Sequence, residues 1–171
     1  MRFRRAEAGD AAALSAFASR LFEDTYAQQN TPEDMRAYMA ENFSPERQAA
    51  ELADPATLYL LGEADGRLAA YVQLYAGPAP PSVAARAPLQ IARFYVDPQW
   101  HGQGLAGEQM RACLAHAMSA GHDVIWLAVW KQNPRAIRFY EKHGFAIVGT
   151  TTFVLGADVQ EDHVMMRPVS A

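Results

Sequence analysis

The chain has 171 residues and a formal net charge of −4, with 50% hydrophobic and 20% charged residues. These values fit one folded domain over residues 1–171 and leave no electrostatic footprint for nucleic-acid binding. No apolar run approaches the roughly 18 residues of a membrane span, the basic start Met1-Arg2-Phe3-Arg4-Arg5 lacks the apolar core of a secretory signal, and the single cysteine, Cys113, excludes an intrachain disulfide and a cysteine zinc cluster.

The expectation is a cytoplasmic protein. Residues 3–6 read as a short strand. After Gly9-Asp10, the positions Leu14, Phe17, Ala18, Leu21 and Phe22 recur at helical spacing and predict a helix over 11–26. Thr31-Pro32-Glu33-Asp34 supplies an N-cap, a proline at the first helical position and acids in the first turn, so a second helix starts there. Ser44-Pro45-Glu46 starts a third in the same way, ending near Asp54-Pro55. Between Arg20 and Asp54 eight acids stand against three bases. An acidic face of this kind attracts a cationic substrate, which makes Glu23, Asp24, Glu33 and Asp34 substrate candidates. Several solvated amphipathic helices look the same, and that is the preferred reading.

Residues 58–62 and 68–75 are apolar and aromatic around Ala64-Asp65-Gly66-Arg67, a hairpin signal. Gly77-Pro78-Ala79-Pro80-Pro81 cannot continue a strand, so an exposed loop runs to about residue 88. A strand over 89–96 follows, then a helix over 102–120 with Ala106, Met110, Cys113, Leu114 and Ala117 on one side. Residues 124–130 are a continuous apolar run, a buried strand. Residues 134–142 make a short helix closed by His143-Gly144, and late strands cover 145–154 and 164–167. This order predicts a mixed sheet covered by helices, an α/β or α+β domain.

The most informative stretch is Val96-Asp97-Pro98-Gln99-Trp100-His101-Gly102-Gln103-Gly104-Leu105-Ala106-Gly107. Its glycines let backbone N–H groups approach a ligand, and the following helix offers the positive end of its dipole. Together they suit a pyrophosphate, to which His101 can add a donor. A plain tight turn with a surface histidine is the bland alternative. Gly102 to Gly107 also fits the dinucleotide pattern G-x-G-x-x-G, but the context is wrong. Five residues separate Val96 from Gly102, and Asp123 begins the next strand where a ribose-binding acid ends it. The nicotinamide reading is rejected.

The second stretch is Asn133-Pro134-Arg135-Ala136-Ile137-Arg138-Phe139-Tyr140-Glu141-Lys142-His143-Gly144-Phe145. With Gln99-x-x-Gly102-x-Gly104 about thirty residues upstream, the chain resembles the GCN5-related N-acetyltransferase (GNAT) family. Leu21 to Tyr26, the stretch from Gln29 to Tyr38, Ile125 to Trp130, and Phe153-x-x-Gly156 are similar to its Pai-type branch, whose members acetylate spermidine and spermine. The resemblance implies a mostly antiparallel sheet of about seven strands with a splayed parallel pair, here 89–96 and 124–130. Acetyl-CoA is then the acyl donor. Its pantetheine pairs with the backbone of Phe94, Tyr95 and Val96, its pyrophosphate lies on Gly102, Gln103, Gly104, Leu105 and Ala106, and Asn133 and Ala136 lie along the arm.

By the same resemblance Tyr140 protonates the departing sulfur. A tyrosine of pKa about 10 facing a thiol of about 8.5 does this better by a strengthening hydrogen bond than by complete transfer. The acceptor amine, of pKa about 10.4, arrives protonated, so a base is needed. Related proteins often carry a glutamate on the strand that holds Gln90 and Ala92 here, and neither of these is a base. A water relay to Tyr95, or to one of Glu23, Asp24, Glu33 and Asp34, remains open. Trp126 and Trp130 read as packing residues, Cys113 as inert, and His116, His122, His143 and His163 show no metal-ligand spacing, so no metal is expected. Arg135 and Arg138 read equally as contacts to the nucleotide phosphate and as exposed cations. Three readings result: transfer to a small-molecule amine such as a polyamine, transfer to a protein, amino-acid or antibiotic amine, and a non-catalytic acetyl-CoA-binding regulatory module. Family members are often dimers, but no stretch of this sequence identifies a homodimer interface.

Overall fold

A computed structural model describes residues 2–169 of the chain. Its seven strands are β1 (Arg2–Arg5), β2 (Thr57–Ala64), β3 (Arg67–Tyr75), β4 (Pro88–Val96), β5 (Val124–Trp130), β6 (Ala146–Leu155) and β7 (Asp158–Pro168). They form one sheet in the order β1-β2-β3-β4-β5-β7-β6, and β4 with β5 is the parallel pair at its centre. The other neighbours are antiparallel. The architecture is the mixed, mostly antiparallel sheet flanked by helices that the sequence predicts.

Helices α1 (Ala11–Tyr26), α2 (Pro32–Phe43) and α3 (Pro45–Ala53) cover one face, and α4 (Leu105–Ser119) and α5 (Pro134–Lys142) cover the other. Strand alternation divides the core accordingly. Tyr59, Leu61 and Tyr71 pack with Leu14, Phe17, Leu21 and Phe22 of α1, whereas Val72, Leu74 and Ile125 pack with Met110 and Cys113 of α4. Each large apolar side chain buried this way contributes about 1.5–3 kcal/mol. The predicted caps form: the Asp34 N–H donates to Thr31 Oγ1 at 3.1 Å, and the Arg47 N–H to Ser44 Oγ at 3.2 Å. Among the described residues no helix is long and apolar enough to cross a membrane.

Two boundaries differ from expectation. Helix α4 starts at Leu105 instead of 102, because Gly102 and Gly104 hold left-handed φ values of +78° and +83°, which a helix cannot use. Strand β7 starts at Asp158, six residues before the predicted 164. The polar run Gln160-Glu161-Asp162-His163 is held between β5 and β6, and pairing on both edges overrides its composition.

The sheet opens at one point. Strand β4 pairs with β5 only from Pro88↔Val124 to Ile91↔Leu127. Where that pairing stops, the register with β3 jumps between Leu74↔Ile91 and Gln73↔Arg93, leaving Ala92 unpaired as a β-bulge. Beyond it, Phe94 joins the core under α4 and α5, while Tyr95 joins the core under α1 and α2.

Candidate active site

The gap between β4 and β5 is bounded by unpaired backbone. Beyond the strand end, the Asp97 N–H is bonded to the Ala69 carbonyl, so the β4 edge turned toward β3 alternates with the edge turned toward the gap. That alternation gives Phe94 and Val96 the gap edge and commits the Tyr95 backbone to β3. Of the three residues expected to pair with pantetheine, Tyr95 therefore has its main chain turned to β3 and its side chain in the core under α1 and α2.

The turn after β4 is held from below by Asp97, which is 3% exposed. Its carboxylate accepts from the Gln99 N–H at 3.0 Å and from the Arg20 guanidinium. Burial works to raise its pKa, but the Gln99 N–H and Arg20 outweigh it and hold the carboxyl below its ordinary value. On this base stand exposed Gly102, Gln103 and Gly104, and Gly104 is the N-cap of α4. A Cβ built on Gly102 or Gly104 meets nothing within 4 Å, so the approach to the N–H groups of the turn and of Leu105 and Ala106 is open. This fits a pyrophosphate at a helix start. His101 is turned elsewhere: its Nε2 lies 3.0 Å from the Val96 carbonyl. The Gln103 side chain donates back to the Gln99 carbonyl at 2.9 Å, and its N–H to the Trp100 carbonyl at 3.4 Å, so Gln103 is tied into the turn itself.

A Gly104→Ala substitution tests this cradle. Because space is open and only the left-handed φ is strained, the cost is about 1–2 kcal/mol. Coenzyme A affinity, read by calorimetry, is expected to fall about tenfold with turnover at saturation kept.

On the other wall, α5 begins at Asn133, whose Oδ1 caps the Ala136 N–H at 3.0 Å. The half-buried Ala136 fixes the helix against the core. Tyr140, one turn further on, is 9% exposed and meets Phe94 of β4 edge-on at 6.1 Å and Phe145 at 5.8 Å. Burial pushes its hydroxyl well above the ordinary tyrosine range, so it is a proton-bearing donor at neutral pH. Arg135 and Arg138 are exposed. Cys113 is buried, and burial pushes its thiol up to about 12, which leaves it inert.

The opposite side of β4 carries a network that sequence reasoning missed. Arg93 donates to Glu51 Oε2 at 3.0 Å, to the Tyr59 hydroxyl at 2.8 Å and to the Asn42 carbonyl at 3.2 Å, and lies over the Phe43 ring at 4.6 Å. Tyr59 in turn donates to Glu51 Oε2 at 2.5 Å. The Arg93 charge is thus cancelled by α3. Beside it, burial raises the pKa of Tyr26, Tyr38, Tyr71 and Tyr95, and Tyr26 and Tyr95 share a side-chain hydrogen bond. Tyr95 stacks on Tyr71 at 5.4 Å. This face is lined with neutral hydroxyls and aromatic rings.

The acidic candidates do not converge. Glu23 and Glu33 are exposed on α1 and α2, and Asp24 is exposed beside Arg20 at 3.4 Å. Asp34 accepts from Thr31 Oγ1 at 3.0 Å and packs against Gly156, where a Cβ would come within 2.2 Å of its carboxylate. Gln90 stands opposite Trp126, and exposed Ala92 is the bulge residue. The carboxylate that does lie inside this face is Asp162, 9% exposed on β7. Its signal was the two-residue spacing to Val164 and Met166, hidden by the charged run around it. Among the described residues no three His, Cys, Asp or Glu side chains are placed to hold a metal.

Comparison with known proteins agrees with this geometry. The model of the acetyltransferase (GNAT) family matches residues 18–145. An uncharacterized N-acetyltransferase of Mycobacterium tuberculosis is 37% identical over 158 residues, covering 92% of this chain and 97% of the relative. The PaiA N-acetyltransferase of Thermoplasma acidophilum, solved in complex with coenzyme A, superposes with a TM-score of 0.78 at 20% identity, covering 98% of each chain. The spermidine/spermine N-acetyltransferase SpeG of Vibrio cholerae gives 0.66 at 21% identity, covering 98% of this chain and 94% of the other.

Proposed function

The chain belongs to the acetyltransferase (GNAT) family and is an acetyl-CoA-dependent N-acetyltransferase; on that premise we propose that its acceptor is the primary amine of a small cationic molecule, a polyamine such as spermidine first among them. A single cytoplasmic catalytic unit over residues 1–171 is part of this reading. Acetyl-CoA supplies an acyl group activated as a thioester. Transfer forms one C–N bond and breaks one C–S bond. The acceptor ammonium gives up two protons in total, of which one reaches the sulfur and one reaches water.

The chain's residues divide that work. Gly102, Gly104, Leu105 and Ala106 offer N–H groups to the pyrophosphate, with Gln103 in the same turn, and the gap-facing backbone of Phe94 and the Val96 N–H hold the arm in the gap. Tyr140 bears the proton for the sulfur. The observation that carries the assignment is the placement of Tyr140: a buried, protonated hydroxyl on α5, edge-on to Phe94 at the place where β4 leaves β5. The acceptor enters from the α1–α2 side, where Glu51 neutralises the buried Arg93. The likeness in fold to the spermidine/spermine N-acetyltransferase SpeG supports a polyamine.

Thiol release from acetyl-CoA with spermidine, spermine and a panel of other amines, beside a no-acceptor control, tests the proposal. Saturable release with polyamines is expected. Release only with other amines discards the polyamine and keeps the enzyme. Tight acetyl-CoA binding without release from any amine favours the regulatory module.

A further inference from the structure

The face that carries Tyr95 continues across β5 and β7. The cross-strand pairs Trp126↔Met166, Ala128↔Val164 and Trp130↔Asp162 put six side chains on one side of the sheet. The rest of that side confirms its direction. Trp126 and Val164 share a buried apolar cluster, and Phe153 of β6, two residues from Asp162's partner Thr151, packs on Tyr26 of α1 and Tyr38 of α2. Asp162 therefore points to the acceptor side.

Its surroundings lack what a buried carboxylate needs. Asp162 Oδ1 is buried with no hydrogen-bond partner, and no ion pair to Asp162 forms among the described residues. Leaving such a group unpaired is costly, and a structural role would have supplied a partner. Burial pushes its pKa above the ordinary carboxylate value, opposed by neighbouring His163. The space next to it is shaped by its β5 neighbours: Ala128 is exposed and small, while Trp126 is buried and Trp130 half-buried on either side. The Trp126 Nε1 is also buried without a partner. Trp130 and Asp162, cross-strand partners on this side of the sheet, thus set an aromatic ring beside an unpartnered carboxylate, which suits a cation through ion pairing and ring contact.

Distance decides which cation. Strand β5 stands between β7 and the gap, so Asp162 is offset from the gap's β5 edge by one strand spacing, roughly 4.8 Å. An amine reacting in the gap lies too far away to sit on this carboxylate, but a second ammonium a few carbons along the same molecule reaches it. We propose that Asp162 anchors the second cationic group of a diamine or polyamine acceptor, with its cross-strand neighbour Trp130 as the aromatic contact. The inference rests on the acetyltransferase reading above and adds a specificity determinant to it.

Asp162→Asn tests it, with 1,4-diaminobutane and butylamine as paired acceptors. Losing a charge-assisted contact is expected to raise the diamine KM roughly 10- to 100-fold. Butylamine kcat/KM and acetyl-CoA affinity should stay within about threefold, a change smaller than the loss of a hydrogen bond to a charged group. The variant should melt no lower than wild type, because the orphaned charge is gone; a markedly lower Tm would assign Asp162 a structural role. Trp130→Leu should weaken the diamine selectively as well. Equal losses for both amines, or none for either, overturn the anchor. Calorimetric titration of the coenzyme A-loaded protein with 1,4-diaminobutane separates the two ideas. Binding that Asp162→Asn abolishes, without thiol release by wild type, keeps the anchor and sinks the transferase reading. Binding that the variant retains, or no binding to wild type, sinks the anchor.

Discussion

Replacing Tyr140 with phenylalanine is expected to lower kcat by about 10²- to 10³-fold while leaving acetyl-CoA affinity nearly intact. The ring stays because its packing stays: Phe94, Phe139 and Phe145 enclose it, and Phe is the same shape without the oxygen. Only the donor to the sulfur is lost. Burial already holds the tyrosine above its ordinary pKa, so complete transfer to a thiolate of ordinary basicity is uphill, and the hydroxyl works through a hydrogen bond that strengthens as charge develops. The leaving group then provides an internal control. An acetyl thioester of a more acidic thiol needs less help, so the penalty of the variant should shrink along a series of such donors. A kcat equal to wild type with acetyl-CoA removes Tyr140 from the mechanism.

The largest effect on stability is expected at Arg93. Its side chain is 14% exposed and that of Glu51 10%, so the pair is largely withdrawn from water and is completed by Tyr59 and the Asn42 carbonyl. Breaking such a pair from one side strands the other charge and costs about 3–5 kcal/mol. For a chain of this size, Arg93→Met should lower Tm by roughly 6–20 °C. The double variant Arg93→Met/Glu51→Leu should recover much of the loss, since two apolar groups need no partner. Thermal melts of the two single variants and the double variant close the cycle. Additive losses would mean that the two charges do not depend on each other.

Much of this molecule is legible in its sequence. The helix over 11–26 and the strand over 124–130 have the predicted limits, because apolar period and a continuous apolar run are local signals. The glycine turn and the segment from Asn133 to Phe145 are contiguous too, so the turn before α4 and the capped helix α5 are readable before folding. What stayed hidden depends on distant partners. Arg93 finds Glu51 across 42 positions, and no local pattern announces the match. Asp162 sits in a charged run whose strand character comes from β5 and β6 on its two sides. Glu23, Asp24, Glu33 and Asp34 stand out by charge density, whereas the buried acids of this face are Glu51, paired with Arg93, and unpaired Asp162.

The bulge at Ala92 makes β4 a strand whose chemistry is set by counting. Before it, odd-numbered Leu89 and Ile91 point to the α4–α5 core; after it the even-numbered Phe94 does, and odd-numbered Arg93 and Tyr95 go the other way. One surplus residue inverts the parity of everything downstream. Exchange at position 92 for another small side chain leaves that parity alone. Threading the same residues through plain alternation, with no bulge, would trade the faces, sending the Arg93 cation into the apolar core and the Phe94 ring toward Glu51. A deletion that absorbs the surplus residue therefore keeps Arg93 and Phe94 on their present faces, whereas a substitution that drew residue 92 into the ladder would exchange them.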